Sequence, residues 1–363
     1  MKTFIKVVSL FLIVGLMASM FVGCTTESEP SGNEGAANGG EKKDDEIVIG
    51  LSMDTLKEER WQRDRDIFVA KAEEMGAKVL VQAANGNDNK QVEQAENLLA
   101  QGVDVLVVVP HNGEISATIV EAAHAEGVPV LSYDRLIKNS EVDYYISFDN
   151  EKVGRLQAEY ILSKVNKGNF VYIGGAPTDN NALLFRKGAI DVLQPYVDKG
   201  DIKIVYDQFS KEWQPSEAQK HMENALTANN DNVDAVICAN DGTGGGAIAA
   251  LAEQQLAGKI PVTGQDAELA ATQRIVEGLQ SMTVYKPIDK IANKAAEVAI
   301  KIAKKEEVEV NSKVNNGKID VPSILLEPIK VDKDNMMDTI VKDGFHKFED
   351  VYRNVPEDQR PKQ

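Results

Sequence analysis

From Glu46 onward the chain alternates short, continuously apolar runs with longer segments whose apolar residues recur three and four positions apart. The runs Ile47–Leu51, Val79–Val81, Val103–Val109 and Pro129–Leu131 lack the polar alternation of a half-exposed strand, so they predict strands covered on both faces. Between them Arg65–Met75, Gln91–Leu99 and Ile115–Ala125 predict amphipathic helices, with Gly76, Gly102 and Gly127 placed to end them. A second block repeats the rhythm. Its strands are predicted at Phe170–Ile173, Ile202–Val205, Ala235–Cys238, Val262–Thr263 and Thr283–Tyr285, and a long helix from about Asp289 to Lys304. A further strand-like run covers Ile324–Val331, and the charged, proline-containing end from 348 to 363 reads as a flexible tail.

Alternating strands and helices imply parallel sheets with helices on both faces. Two such blocks, divided near Tyr144–Asn150, predict an α/β protein of two doubly wound parallel-sheet lobes. About 300 residues follow Glu46, more than one core usually serves, which agrees.

The first 45 residues are different in kind. Lys2 and Lys6 precede an almost wholly apolar run, Val7–Val22, and the small Gly23 stands before Cys24. That is the layout of a secretory signal, residues 1–23, and the run is shorter than the roughly 20 residues a spanning helix needs. Residues 25–45 hold no aliphatic side chain larger than alanine, so they predict an unstructured tether. Cys238 is the only other cysteine, set in an apolar run where it reads as a small buried hydrophobe. No disulfide framework is possible within the folded part, and four scattered histidines give no metal-ligand spacing. The formal charge is −17, and loss of Lys2 and Lys6 would make it more negative still, which sets nucleic acid aside as a partner.

Ligands of doubly wound sheets bind beyond the carboxyl ends of the strands. Arg60 and Trp61 follow the first predicted strand, and Asp134 and Arg135 the fourth. In the second block Asn181 and Arg186, Trp213, Asn240, Asp266 and Lys286 follow successive strands. Carboxylates, amides, cations and the chain's two tryptophans thus collect at one kind of location. A sugar hydroxyl both donates and accepts, so this mixture can satisfy it, and the C–H faces of a pyranose can lie on an indole. Each residue alone has a plainer reading. An Asp or Asn after a strand is often a helix cap, Arg60 could be a solvated charge, and either tryptophan could be core. The convergence predicts a small polar ligand.

Several stretches resemble the bacterial D-xylose-binding proteins of the periplasmic binding family. They are Glu59-Arg60-Trp61-Gln62-Arg63-Asp64-Arg65-Asp66, Tyr144-Tyr145-Ile146-Ser147-Phe148-Asp149-Asn150, Asp179-Asn180-Asn181-Ala182, Gly264-Gln265-Asp266-Ala267, Met282-Thr283-Val284-Tyr285-Lys286-Pro287 and Asp343-Gly344-Phe345-His346-Lys347. The resemblance covers Ile47 to Lys347. It implies a monomeric receptor of an ABC importer that closes on D-xylose, or on glucose as well, without cofactor or metal. It also implies a three-segment hinge between the lobes, with crossings near Asp149, Tyr285–Pro287 and Lys313. The lobes would then be 46–149 with 287–313, and 150–286 with 314–347. The family's sugar contacts map onto Arg60, Asp134, Arg135, Asn181, Arg186, Asn240, Asp266 and Lys286, and its stacking rings onto Trp61 and Trp213. Phe21-Val22-Gly23-Cys24 resembles a bacterial lipoprotein signal, although Phe21 stands where leucine is usual. Lipid on Cys24 would tether the receptor to the outer face of the cell membrane. An ordinary cleaved signal with an incidental cysteine is the alternative.

Other functions are weaker. Gly242-Thr243-Gly244-Gly245-Gly246-Ala247 fits a loose dinucleotide fingerprint, with Asp266 about 20 residues on. It falls mid-chain in an exported protein, and small residues for close helix packing explain it better. Asp134 and Asp266 could be a glycosidase pair by location, but the cations expected around them leave no carboxyl poised as an acid. A sugar sensor reporting to a membrane histidine kinase is the remaining alternative within binding.

Overall fold

Every residue of Val48–Met53 is buried, and this first strand, β1, sits one place in from the edge of a seven-stranded sheet. The computed structural model describes residues 46–362, so the leader, Cys24 and the tether fall outside the described residues. The first sheet is built from β1, β2 (Lys78–Ala83), β3 (Val105–Val108), β4 (Val130–Tyr133) and β5 (Tyr144–Phe148), all parallel. Helices α1 (Glu59–Glu74), α2 (Asp88–Ala100) and α3 (Ala117–Ala125) make the crossovers. Alternate strand residues enter opposite cores. Ile49, Leu51, Val105, Val107 and Ile146 pack with Phe68 of α1, while Val48, Leu106, Val108 and Tyr145 pack with Leu98 of α2 and Ile119 of α3. Both faces are therefore covered, which explains the continuous apolar runs.

The second lobe repeats the pattern with α4 (Asn150–Lys164), β6 (Gly168–Gly174), α5 (Asn180–Asp198), β7 (Ile202–Phe209), α6 (Pro215–Asn229), β8 (Ala235–Cys238), α7 (Asp241–Glu253), α8 (Leu269–Glu277) and β9 (Thr283–Tyr285). Its strands run in the order β7-β6-β8, and single parallel bridges at Val236–Val262 and Gln265–Val284 carry the sheet on to β9. The glycines after β8 serve close packing. A Cβ on Gly246 would lie 2.1 Å from the Pro215 carbonyl oxygen of α6. At the crossing of α4 and α5, Cβ atoms on Gly154 and Gly188 would each fall 1.9 Å from a carbonyl oxygen of the other helix. Cys238 is buried in this core, and burial pushes its thiol up, so it stays protonated and inert.

After β9 the chain returns to the first lobe as α9 (Ile288–Ala303), whose Ile291, Ala292, Ala295 and Ala299 join the core beneath α1. The expected third crossing near Lys313 is corrected by the pairing that follows. Strand β10 (Ser312–Asn315) is antiparallel to β11 (Asp320–Leu326), and β11 runs parallel to β5, so residues 312–326 complete the first sheet. Strand β12 (Ile329–Val331) then pairs with β9 in the second lobe. The run Ile324–Val331 is thus two strands in two sheets, broken at Glu327-Pro328, and the chain crosses there. The dividing segment near Tyr144–Asn150 likewise contains β5, with the first crossing at Asp149. The tail is also not free. Short helix α10 (Phe348–Val351) buries Val351, and Tyr352 follows it into a cluster with Ala267, Tyr285 and Val331.

Candidate functional site

Helix α1 starts six residues before the apolar periodicity of Arg65–Met75 predicts, which puts Arg60 and Trp61 on its first turn. Its inward face carries Arg60 and Asp64 as well as Trp61 and Phe68, and charges in core positions hide the helical pattern. Arg60 is a hub. Its guanidinium lies 2.8 Å from Asp134, 3.2 Å from Asp64 and 3.4 Å from Asp266, the last across the cleft between lobes. Lys286 lies 3.3 Å from Asp266 and 3.9 Å from Asp134. Arg135 reaches Asp54 at 2.6 Å in its own lobe and Asp179 at 2.9 Å in the other.

All these groups are buried. Taking ions out of water costs several kcal/mol each, so such a cluster persists only when every charge is paired. Burial pushes the Asp134 carboxyl up, but Arg60, Lys286 and Arg135 together outweigh it and hold Asp134 below the usual carboxylate range. Asp64 behaves oppositely. Burial outweighs Arg60 and the Tyr133 hydroxyl bonded to it, and its carboxyl is raised. Burial likewise raises Asp179 against Arg135.

Backbone geometry fixes several of these side chains. Asp134, Trp213 and Asp266 have φ of 58°, 56° and 91°, a left-handed region costly for non-glycine residues. Asp134 is held there by its own carbonyl, which accepts from Tyr145 at 3.0 Å, Ser147 at 2.6 Å and Asn181 at 3.0 Å. Trp213 lies against the backbone of Gly175, where a Cβ would sit 2.0 Å from the indole. The Asn240 side chain caps α7 by accepting from the Thr243 N–H at 2.9 Å, which leaves its Nδ2 as the donor it can offer a ligand.

These residues line one small cavity between the lobes. Nine of the ten sequence candidates line it: Arg60, Trp61, Asp134, Arg135, Asn181, Trp213, Asn240, Asp266 and Lys286. Arg186 does not. It is partly exposed and forms a bidentate pair with Asp207 of β7. On α5, Asn181 and Phe185 are four residues apart and share the cavity face, and Arg186 is turned about 100° further round. Phe185, Glu58, Asp179 and Gln265 also line the cavity. Helical spacing from Asn181 would have found Phe185, whereas nothing in the pattern marks Glu58.

Chemically, the cavity offers carboxylate acceptors, cationic donors and two indoles to something compact and rich in hydroxyls. Trp61 already carries Arg60 over its ring at 4.2 Å and Arg135 at 5.1 Å, and Trp213 meets Phe185 edge-on at 6.3 Å. Among the described residues no group of His, Cys, Asp and Glu is placed to hold a metal ion.

The model of the periplasmic binding protein domain family matches residues 49–307. A D-xylose-binding periplasmic protein of Haemophilus influenzae is 55% identical over 307 residues, which is 85% of this chain and 92% of the relative. Its counterpart in Escherichia coli is 55% identical over 302 residues, 83% of this chain and 92% of the relative. Among solved structures, a carbohydrate transporter solute-binding protein from Chloroflexus aurantiacus in complex with D-glucose superposes with a TM-score of 0.79. It is 33% identical and covers 84% of this chain and 98% of its own. An ABC transporter solute-binding protein from Clostridium phytofermentans with bound β-D-glucose gives a TM-score of 0.77 at 32% identity, covering 86% of this chain and 100% of its own.

Proposed function

Because the chain belongs to the periplasmic binding protein family, we propose that its cavity captures one free monosaccharide, D-xylose foremost, and delivers it to an ABC importer. The protein is an extracytoplasmic solute-binding receptor and not an enzyme. The observation that carries the sugar reading is the pairing of buried charges across the cleft. Arg60 and Asp134 of the first lobe meet Asp266 and Lys286 at the face of the second, all lining one small cavity. A sugar placed there can donate to the aspartates and accept from the cations, and such charge-assisted bonds are about twice as strong as neutral ones. Trp61 and Trp213, one from each lobe, would supply apolar faces for the ring. The lobes must meet for these contacts to be made together, so sugar favours the closed form.

The reading extends to the leader. Cleavage after Gly23 and lipid on Cys24 would hold a monomeric receptor at the outer face of the membrane, with residues 25–45 as its tether. Delivery to a permease is favoured over signalling to a kinase by the transport names of the similar proteins. Two measurements test the proposal. Calorimetric titration with D-xylose, D-glucose, D-ribose and an amino acid should give tight binding of D-xylose and none of the amino acid, and the reverse order refutes the sugar reading. In the native host Cys24→Ser protein should leave the membrane fraction, and firm retention refutes the anchor.

A further inference from the structure

The stretch Asp343-Gly344-Phe345-His346-Lys347 stands apart from the sugar cavity and lines none of it. Phe345 packs against the second-lobe cluster of Ile275, Val331 and Ile340. Its ring centre is 4.9 Å from that of Tyr285, the residue before Lys286. His346 is buried, and its Nε2 lies 2.8 Å from the carbonyl oxygen of Ala267, the residue after Asp266. One short segment thus backs two charged cavity residues of the second lobe, each from one position away.

The first lobe reaches the same segment. Arg63 stands three positions after Arg60 on α1 and donates to the Phe345 carbonyl at 2.6 Å. Its other terminal nitrogen lies 2.7 Å from Glu59 and 3.4 Å from His346 Nδ1. These partners fix the tautomer. A carbonyl can only accept and a guanidinium can only donate, so the imidazole is neutral with its proton on Nε2. Burial holds the ring below the usual histidine range. Arg63 acts in the same direction, against the Ala267 carbonyl and the carboxylates of Glu59 and Asp350.

Asp266 and Ala267 are consecutive residues with φ of 91° and 52°. Such a turn persists only where its surroundings hold it. The Asp266 N–H donates to the Val284 carbonyl at 2.9 Å, and the Ala267 N–H to the Thr283 hydroxyl at 3.1 Å. His346 supplies the bond to the Ala267 carbonyl. We propose that His346 is a positioning residue for sugar binding. It holds the Asp266–Ala267 turn and ties it through Arg63 to α1, so that Asp266 is set for the sugar when the lobes meet. The inference rests on the monosaccharide reading above. A protonated ring keeps the Ala267 bond but cannot accept from Arg63, and it sets cation against cation. Protonation therefore disfavours the closed form, and affinity falls as pH drops below about 6.5.

The test is calorimetric titration of D-xylose at pH values from 7.5 to 5 into wild type, His346→Ala, His346→Gln and Arg63→Met. At pH 7.5 His346→Ala should bind about tenfold more weakly, because the turn loses one of its holding bonds. Glutamine carries both a donor and an acceptor, so His346→Gln should stay within about threefold of wild type. Wild-type affinity should fall toward pH 5, and both His346→Gln and Arg63→Met should show a shallower fall. Arg63 is partly exposed, so its replacement severs the link without disturbing the buried ring. A role in folding alone would lower the melting temperature of His346→Ala and leave these pH profiles alike. A wild-type profile without the fall, or an equally steep one in Arg63→Met, overturns the proposal even where a His346 variant does not fold. Equal losses in His346→Ala and His346→Gln do the same. Failure of wild type to bind D-xylose at pH 7.5 overturns the monosaccharide reading itself.

Discussion

Replacing Asp266 by asparagine probes the charge cluster where it should matter most to a ligand. The carboxylate is 8% exposed and lies 3.4 Å from Arg60 and 3.3 Å from Lys286. Asparagine keeps the size, tolerates the φ of 91° better than most residues, and removes only the charge and one acceptor. A hydrogen bond to a charged group contributes about 1.5–3 kcal/mol, and losing a buried charged partner at an interface costs about 2–5. Binding of D-xylose should therefore weaken by about 2–4 kcal/mol, or roughly 30- to 1,000-fold in Kd. Folding is affected too, which strand-end position alone does not suggest. Arg60 keeps Asp64 and Asp134, but Lys286 is left with Asp134 at 3.9 Å. The loss of stability should be about 1–2 kcal/mol, below the 3–5 expected when a buried ion loses its only partner. Calorimetry gives the first quantity and urea denaturation without sugar the second. Affinity within threefold of wild type would show that Asp266 serves the fold and not the ligand.

Arg186→Ala is the matching control. Its guanidinium pairs with Asp207 outside the cavity, so D-xylose affinity should stay within about twofold, and a loss beyond tenfold would restore it to the site. Trp213→Ala should lose about 2–4 kcal/mol of sugar binding by calorimetry and Trp213→Phe much less, and equal losses would remove the stacking role. Asp241 concerns pH. It accepts from Gln280 at 2.7 Å, Thr283 at 2.9 Å and the Glu268 N–H at 3.0 Å, yet burial pushes its carboxyl up to about 7 against Arg274 and these donors. The folded chain then keeps a proton that the unfolded chain releases near 4, so this group's contribution to stability falls as pH rises from about 4 to 7 and is level above. Glu268, raised to about 8 by burial and by Asp241 and Asp266, adds a slope of the same sign. Melting at several pH values should show Asp241→Asn with a shallower decline between pH 5 and 7, and an unchanged slope refutes the assignment.

The lobes were legible because strands buried on both faces write themselves as unbroken apolar runs, as at Val103–Val109 and Ala235–Cys238. Residues 312–326 were not, because which sheet accepts a strand is settled by long-range pairing with β5 and leaves no local trace. The amphipathic turn at Phe348, Val351 and Tyr352 was masked by the charges around it. At the site, position after a strand located nine cavity residues, since sheet topology gathers strand ends. Arg186 failed because helical phase overrules sequence proximity. Glu58 was hidden because only the three-dimensional wall shows an unpaired oxygen there.

The two tryptophans of the chain, Trp61 and Trp213, both line the cavity, so intrinsic fluorescence reports on that place alone. Titration of the wild-type chain with D-xylose should change tryptophan emission saturably, with a one-to-one stoichiometry and no response to amino acids. Emission that D-xylose leaves unaltered at millimolar concentration, while calorimetry on the same sample detects no heat of binding, would contradict the receptor account at its centre.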